Sequence, residues 1–228
     1  MSPPRGSDAP PGRPRARRSS RRIDLSTLSS ENAERLLSSV VVPRPIAWIS
    51  TISRSGCTNL APHSYFSPVS SDPPTVMFVS TGMKDTLRNV LESGEFVVNS
   101  VEDSQLEMML ITSAELPGDE DEFAWAEVER TPSWYVRPPG VADSAVSLEC
   151  RLLRTLRVGE ATLVVGLVIC AHVASEAIQA SERIDLRELP VVGRVGPGAF
   201  TVVKQVIDRR RPRPGDLAAL RYESDGPT

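Results

Sequence analysis

Lys84, Asp85 and Thr86 lie in the string "TGMKDT", a cation, a carboxylate and a hydroxyl set just before the amphipathic stretch "LRNVLES". The chain has 26 Lys and Arg residues, and only Lys84 and Lys204 are lysines. Asp85 or Thr86 can cap a helix here, and Gly94 can end it. The open N–H groups and the positive dipole end of that helix then face Lys84. A point-charge cation, a hydroxyl and a helix N-terminus together make a phosphate receptor. An exposed lysine beside an ordinary cap has the same string, and the string alone favours that plainer account.

A second segment, "RPIAWISTISRSGCTNLAPHSYFSPVSSDPP", is dense in short hydroxyl and amide groups with aromatics between them. A strand is expected to end at Ser50-Thr51, with a turn near Ser55-Gly56 and further turns at Ala61-Pro62. Amide and backbone groups beside apolar side chains suit a polar, planar ligand. A polar hairpin loop over a core tryptophan explains the segment as well.

Other chemistry has little material. The chain has only His63 and His172, and no motif supports a Ser-His-Asp triad. It has no GxGxxG fingerprint and no P-loop. Its three cysteines, Cys57, Cys150 and Cys170, show neither a disulfide framework nor metal-ligand spacing, so no metal is expected. Cys150 and Cys170 read as small buried hydrophobes, and His172 as structural, in the strand pattern "VICAHVA".

The elements that must position these residues are mostly strands. "VVVPRPIAWIST", "TVMFVS", "EFVVNSV", "AVSLECRLLRTLRV", "ATLVVGLVICAHVAS" and "GAFTVVKQV" are rich in β-branched residues. Gly159-Glu160 marks a hairpin between two of them. "LSSENAERLLSS", "KDTLRNVLES" and "DSQLEMMLIT" carry helical periodicity. The pattern predicts a mainly β fold, a closed or partly closed barrel with flanking helices.

The two chemical segments together resemble the flavin reductase-like, FMN-binding split-barrel family, which includes the flavoredoxins. The resemblance runs from about Leu36 to Val101, and continues more weakly through "SLEC" and "LPVVGRVGPGAF". It implies a six-stranded Greek-key split barrel, a homodimer, and one FMN per protomer near the dimer interface. Lys84 and Thr86 would hold the FMN phosphate, with Ser50 and Thr51 near the phosphate and ribityl chain. Asn59, Leu60, Ala61 and Ser64 would frame the isoalloxazine. Trp48 would shape the pocket from its strand, and Arg194 would lie near the flavin. The implied activity is an NAD(P)H-dependent flavin reductase, with NADH or NADPH passing a hydride to flavin N5. A flavin-dependent monooxygenase is the implied recipient of reduced flavin. The alternative is an FMN-bound electron carrier, or an FMN enzyme with its own organic substrate.

Three places depart from the family. His63 follows "NLAP", where relatives commonly have Tyr or Phe, and it is the one candidate for a catalytic role. "RVGPGAF" replaces "RLGG..Y", bringing Pro197 and the hydroxyl-free Phe200. "EDEFAWAEVERTPSWYV" replaces the usual "DKF" segment, placing Glu122 where a basic residue is common and adding Trp125, Trp134 and Tyr135. The segment 117–140 is expected to cover the mouth of the site.

Residues 1–22 carry seven Arg and one Asp, a local charge of +6 that leaves −9 on the rest. This Arg/Pro-rich tail is expected to be disordered, followed by the barrel domain at 23–208 and a C-terminal tail at 209–228, in which "DLAALRY" could form a helical turn or two. An acidic body argues against nucleic acid as a partner. No apolar run reaches the ~20 residues that span a bilayer, and cysteine usage suits a reducing cytoplasm.

Overall fold

The computed structural model describes residues 19–216 apart from 119, 181 and 182, and the side chain of Leu186 is likewise outside the description. The expected tail thus lies largely outside the described residues, as does most of "DLAALRY"; Ser19–Arg22 are exposed and without regular structure.

Among the described residues, twelve strands and four α-helices follow one another along the chain. Helix α1 (Ser30–Val40) leads into β1 (Arg44–Pro45) and β2 (Ala47–Ile52). Then come β3 (Thr58–His63), β4 (Phe66–Ser71), β5 (Pro74–Thr81), α2 (Asp85–Ser93) and β6 (Glu95–Asn99). After α3 (Leu106–Ile111) and α4 (Glu122–Trp125) lie β7 (Arg130–Thr131) and β8 (Gly140–Val141). The long strands β9 (Val146–Val158) and β10 (Ala161–Val173) form a hairpin, and β11 (Val192–Arg194) and β12 (Phe200–Val202) follow.

The main sheet runs β3-β2-β6-β9-β10-β5-β4. Its two ends, β3 and β4, are consecutive in sequence and separated only by Ser64 and Tyr65. Thr58–Ser71 is therefore one bent strand that pairs with β2 on one arm and β5 on the other, which closes the sheet into a split barrel. Seven strands reduce to the expected six when the bent strand counts once. Sequence reading took Ala61-Pro62 as turns, and the structure corrects this. Proline suits β3 because that strand pairs within the sheet on one side only, so the missing N–H breaks no ladder.

The bend removes one backbone rung, and His63 replaces it. The Val79 N–H of β5 donates to Tyr65 O at 3.0 Å, while Val79 O accepts from His63 Nδ1 at 3.1 Å.

Strand β2 is buried on both faces, which explains its lack of polar alternation. Ala47 and Ile49 face the barrel interior with Phe78, Leu87, Val90, Phe96 and Val164. Trp48 faces a second core with Leu60, Val101, Met109 and Phe123. Asn99, fully buried at the end of β6, ties the two layers. Its Nδ2 donates to Trp48 O at 2.9 Å, and its Oδ1 accepts from Val141 N and the Ser147 hydroxyl. Helix α1 ends over buried Arg44, whose guanidinium donates to the carbonyls of Ser38 and Val41 and so meets the negative end of the helix.

Candidate functional site

Helix α2 starts one residue earlier than the sequence suggested. Lys84, not Asp85 or Thr86, is the N-cap, and its side chain makes no capping bond. The first-turn N–H groups thus stay open, as Asp85 turns to Arg88 in an ion pair. Gly94 ends the helix in the left-handed conformation at φ 71°. The Lys84 ammonium is more than half exposed and meets Glu115 at 3.0 Å.

This helix end opens on a cavity of about 510 Å³, within the ~300–1,000 Å³ usual for small-molecule sites. Asn59, Ala61, His63 and Ser64 line it from the bent strand, Lys84 and Thr86 from α2, Glu122 from α4 and Arg194 from β11. Six of the ten residues assigned to cofactor binding meet at this cavity, together with His63.

The other four stand behind it. Thr51 is fully buried, and its Oγ1 accepts from Asn59 Nδ2 at 3.1 Å and from Asn89 Nδ2 at 3.0 Å. Asn59 Nδ2 also donates to Thr86 Oγ1 at 3.1 Å. The hydroxyl of Ser50 is spent on the carbonyl of Pro139, on the opposite face of β2. The indole Nε1 of Trp48 donates to Thr112 Oγ1 at 2.8 Å, and Thr112 lines the cavity. Leu60 is a core residue whose N–H donates to Glu122 Oε2 at 3.1 Å.

The two titratable groups on the inner wall are both shifted. Burial pushes the imidazole of His63 down to about 4, against the opposing pull of the Val79 carbonyl, with the Lys84 charge adding to the fall. His63 is therefore neutral at pH 7, with its proton on Nδ1 and a lone pair on Nε2. That Nε2 is buried and has no hydrogen-bond partner. Burial also raises the carboxyl of Glu122, more than its backbone hydrogen bonds lower it.

A model of the flavin reductase like domain matches residues 38–186, well over half of the chain. The chain belongs to this family. The flavin reductase-like domain is 35% identical to an uncharacterized protein of Aquifex aeolicus over 167 residues, 71% of this chain and 85% of that one. Among solved structures, it superposes on nitrilotriacetate monooxygenase component B from Bacillus cereus with a TM-score of 0.80 and 28% identity, covering 84% of this chain and 100% of the other. It matches the 2-nitrobenzoate 2-nitroreductase NbaA of Pseudomonas fluorescens with a TM-score of 0.80 and 26% identity, covering 84% and 96%.

Within this flavin reductase-like domain the segment 117–140 divides. Glu122 reaches the cavity, but Trp125, Trp134 and Tyr135 do not line it and are exposed. Trp134 instead stands edge-on to His172 at 5.2 Å, on another side of the barrel wall. Sequence reasoning missed Glu115, which neutralises Lys84 from 31 residues away, and the wall residue Thr112. Neither carries a local signal. Arg194 folds back on its own loop, donating to the carbonyls of Gly196 and Pro197, and lies over Phe200 at 5.8 Å.

Proposed function

We propose that the protein is an FMN-binding oxidoreductase, an NAD(P)H-dependent flavin reductase that passes reduced flavin to a partner monooxygenase. The observation that carries this reading is the one cavity that joins an open helix N-terminus with Lys84 and Thr86 at one end to Asn59, Ala61, His63 and Ser64 at the other. The donor set fits FMN. The free α2 N–H groups, the Thr86 hydroxyl and the Lys84 ammonium would receive the phosphate. Ala61 and Ser64 would border the ring system, and Asn59 would hold Thr86 in place.

Bound FMN would supply the hydride acceptor, and the nicotinamide would have to stack on it, because the sequence has no GxGxxG dinucleotide fingerprint. What the chain contributes is position. Thr51 and Asn89 lock Asn59, which locks Thr86. Trp48 holds Thr112 on the wall. His63 pins the bend to the Val79 carbonyl through Nδ1, and Glu122 keeps a carboxyl beside the Leu60 amide. The similarity to nitrilotriacetate monooxygenase component B supports flavin transfer, and the homodimer is what the family resemblance implies.

A second reading has its own support. His63 and Glu122 place an imidazole and a carboxyl on the cavity wall, which a reductase that merely exchanges flavins does not need. They suit an FMN enzyme with its own organic substrate, as the similarity to a nitroreductase also suggests. Anaerobic mixing of the flavin-loaded protein with NADH and with NADPH separates the two. Bleaching by either supports the reductase, whereas flavin that stays oxidised with both, yet bleaches with dithionite, removes it.

A further inference from the structure

A second cluster lies away from the flavin cavity, on the β9–β10 hairpin. Glu149 of β9 is fully buried, and Cys170 and His172 stand on the same face of β10, two residues apart. One ligand atom from each falls within 4.8 Å of the other two. His172 Nε2 is 2.6 Å from Glu149 Oε1 and 3.7 Å from Cys170 Sγ.

A nucleophile–base–carboxylate relay is excluded by this geometry. Such a relay uses both ring nitrogens, one toward the nucleophile and one toward the acid. Here the sulfur and the carboxylate converge on the same nitrogen. Three different donor atoms around one point are what a metal ion requires.

We propose that Glu149, Cys170 and His172 form a binding site for a divalent zinc-type ion. Tetrahedral zinc with bonds of ~2.0–2.3 Å sets its ligand atoms about 3.3–3.8 Å apart. The Sγ–Nε2 separation already meets this, and the Nε2–Oε1 contact has only to open by less than 1 Å. Thiolate, imidazole and carboxylate together suit Zn²⁺ better than an all-oxygen cation such as Mg²⁺. Binding releases one proton, from the Cys170 thiol, while the Nε2 proton that His172 shares with Glu149 moves to Nδ1, so the imidazole binds in its neutral form.

The outer partners are already in place. The backbone N–H groups of Trp134, Tyr135 and Val136 donate to Glu149 at 2.8, 2.6 and 3.2 Å. They fix the carboxylate in the way that outer-shell partners orient metal ligands. Burial raises the Glu149 carboxyl, but these bonds and His172 outweigh it and hold it below its usual value. Glu149 and His172 also line a cavity of about 220 Å³, which leaves room for water or a small anion as a fourth ligand.

The test uses metal-free full-length protein titrated with Co²⁺, read as a difference spectrum against the same protein without metal. The expected result is one Co²⁺ per chain, a thiolate-to-cobalt charge-transfer band, the ligand-field intensity of a four-coordinate ion, and loss of all three on adding Zn²⁺. Cys170→Ser should abolish the band, and His172→Gln should weaken binding by more than the ~10–100-fold that loss of an outer-shell partner costs. Cys57→Ser should leave the band intact. Absence of the band in the wild type overturns the proposal, as does a band that survives Cys170→Ser. Should Cys170→Ser fail to fold, unchanged cobalt affinity in His172→Gln overturns it equally. The readout does not depend on flavin, so it stands or falls apart from the proposed reductase activity.

Discussion

The Asn59 carboxamide donates to the Thr86 hydroxyl at 3.1 Å, linking strand β3 to the first turn of helix α2. Both residues are buried, and a third member, Thr51, receives the other bond from the same nitrogen. A buried network of this kind is rigid when complete and costly when broken.

Asn59→Ala leaves the buried Thr86 hydroxyl without its donor, while Thr51 keeps the one from Asn89. A loss of about 1–3 kcal/mol in folding stability is expected, together with weaker FMN binding. Urea unfolding of the flavin-free protein measures the first, and an FMN titration the second. A variant as stable as the wild type would show that the network relaxes around the gap.

Lys84 and Glu115 form an exposed pair, and a phosphate at the helix end competes with the carboxylate for the same ammonium. Lys84→Ala is expected to weaken FMN binding by about 1.5 kcal/mol, the low end of the charge-assisted scale, because the side chain is more than half exposed. Glu115→Gln is expected to tighten it about 2–5-fold by freeing the lysine. Opposite signs from the two variants, measured by fluorescence titration, are the signature of a phosphate at this point.

His63 predicts a pH dependence. Its folded value of about 4 lies below its usual 6.5. Between these limits the unfolded chain binds a proton that the folded chain does not. Stability is therefore complete above pH 6.5 and falls as pH drops toward 4, by as much as ~3 kcal/mol. His63→Phe removes this contribution, so its stability profile should be flatter over that window. Parallel wild-type and variant profiles would take the imidazole out of the account.

Gly166 on β10 lies directly against the ring of Phe96. A Cβ there would lie 2.3 Å from Phe96 Cζ and 2.8 Å from its Cε1. Phe96 stands edge-on to Phe78 at 5.4 Å, and Phe78 meets His63 at 4.9 Å with the rings tilted. Gly166→Ala should cost about 1–3 kcal/mol by overpacking and shift the His63 ring resonances in NMR spectra. An unshifted histidine signal would mean that Phe96 moves without pressing on Phe78.

Much of this architecture was readable before any coordinates. The periodicity of α1 and α2, the Gly159 turn and the β-branched runs of β5, β6, β9 and β10 all appear where local pattern puts them. Strand β3 was not readable, because "TNLAPH" mixes a proline with polar residues, and its role as an edge arm is set by the barrel's closure. The cavity was legible as two segments, but their junction through Asn59 and Thr86 depends on contacts 27 residues apart. Glu115, Thr112 and the convergence of Glu149 on Cys170 and His172 are likewise long-range, with no trace in local spacing. The exposed Trp134 and Tyr135 misled for the same reason: bulk in a sequence does not say which side of a barrel it covers.

The bend at Ser64-Tyr65 gives the barrel a clasp, and both of its residues line the cavity. His63 completes the strand pairing at the bend with one ring nitrogen and faces the interior with an unpartnered other. A ligand that packs against the bent strand and reaches α2 would fasten the strand to the helix, so that occupancy and closure would become a single equilibrium. Filling the site to 100 times its dissociation constant would hold the barrel shut by ~2.7 kcal/mol. Heat resistance in this protein is then a measure of how full it is.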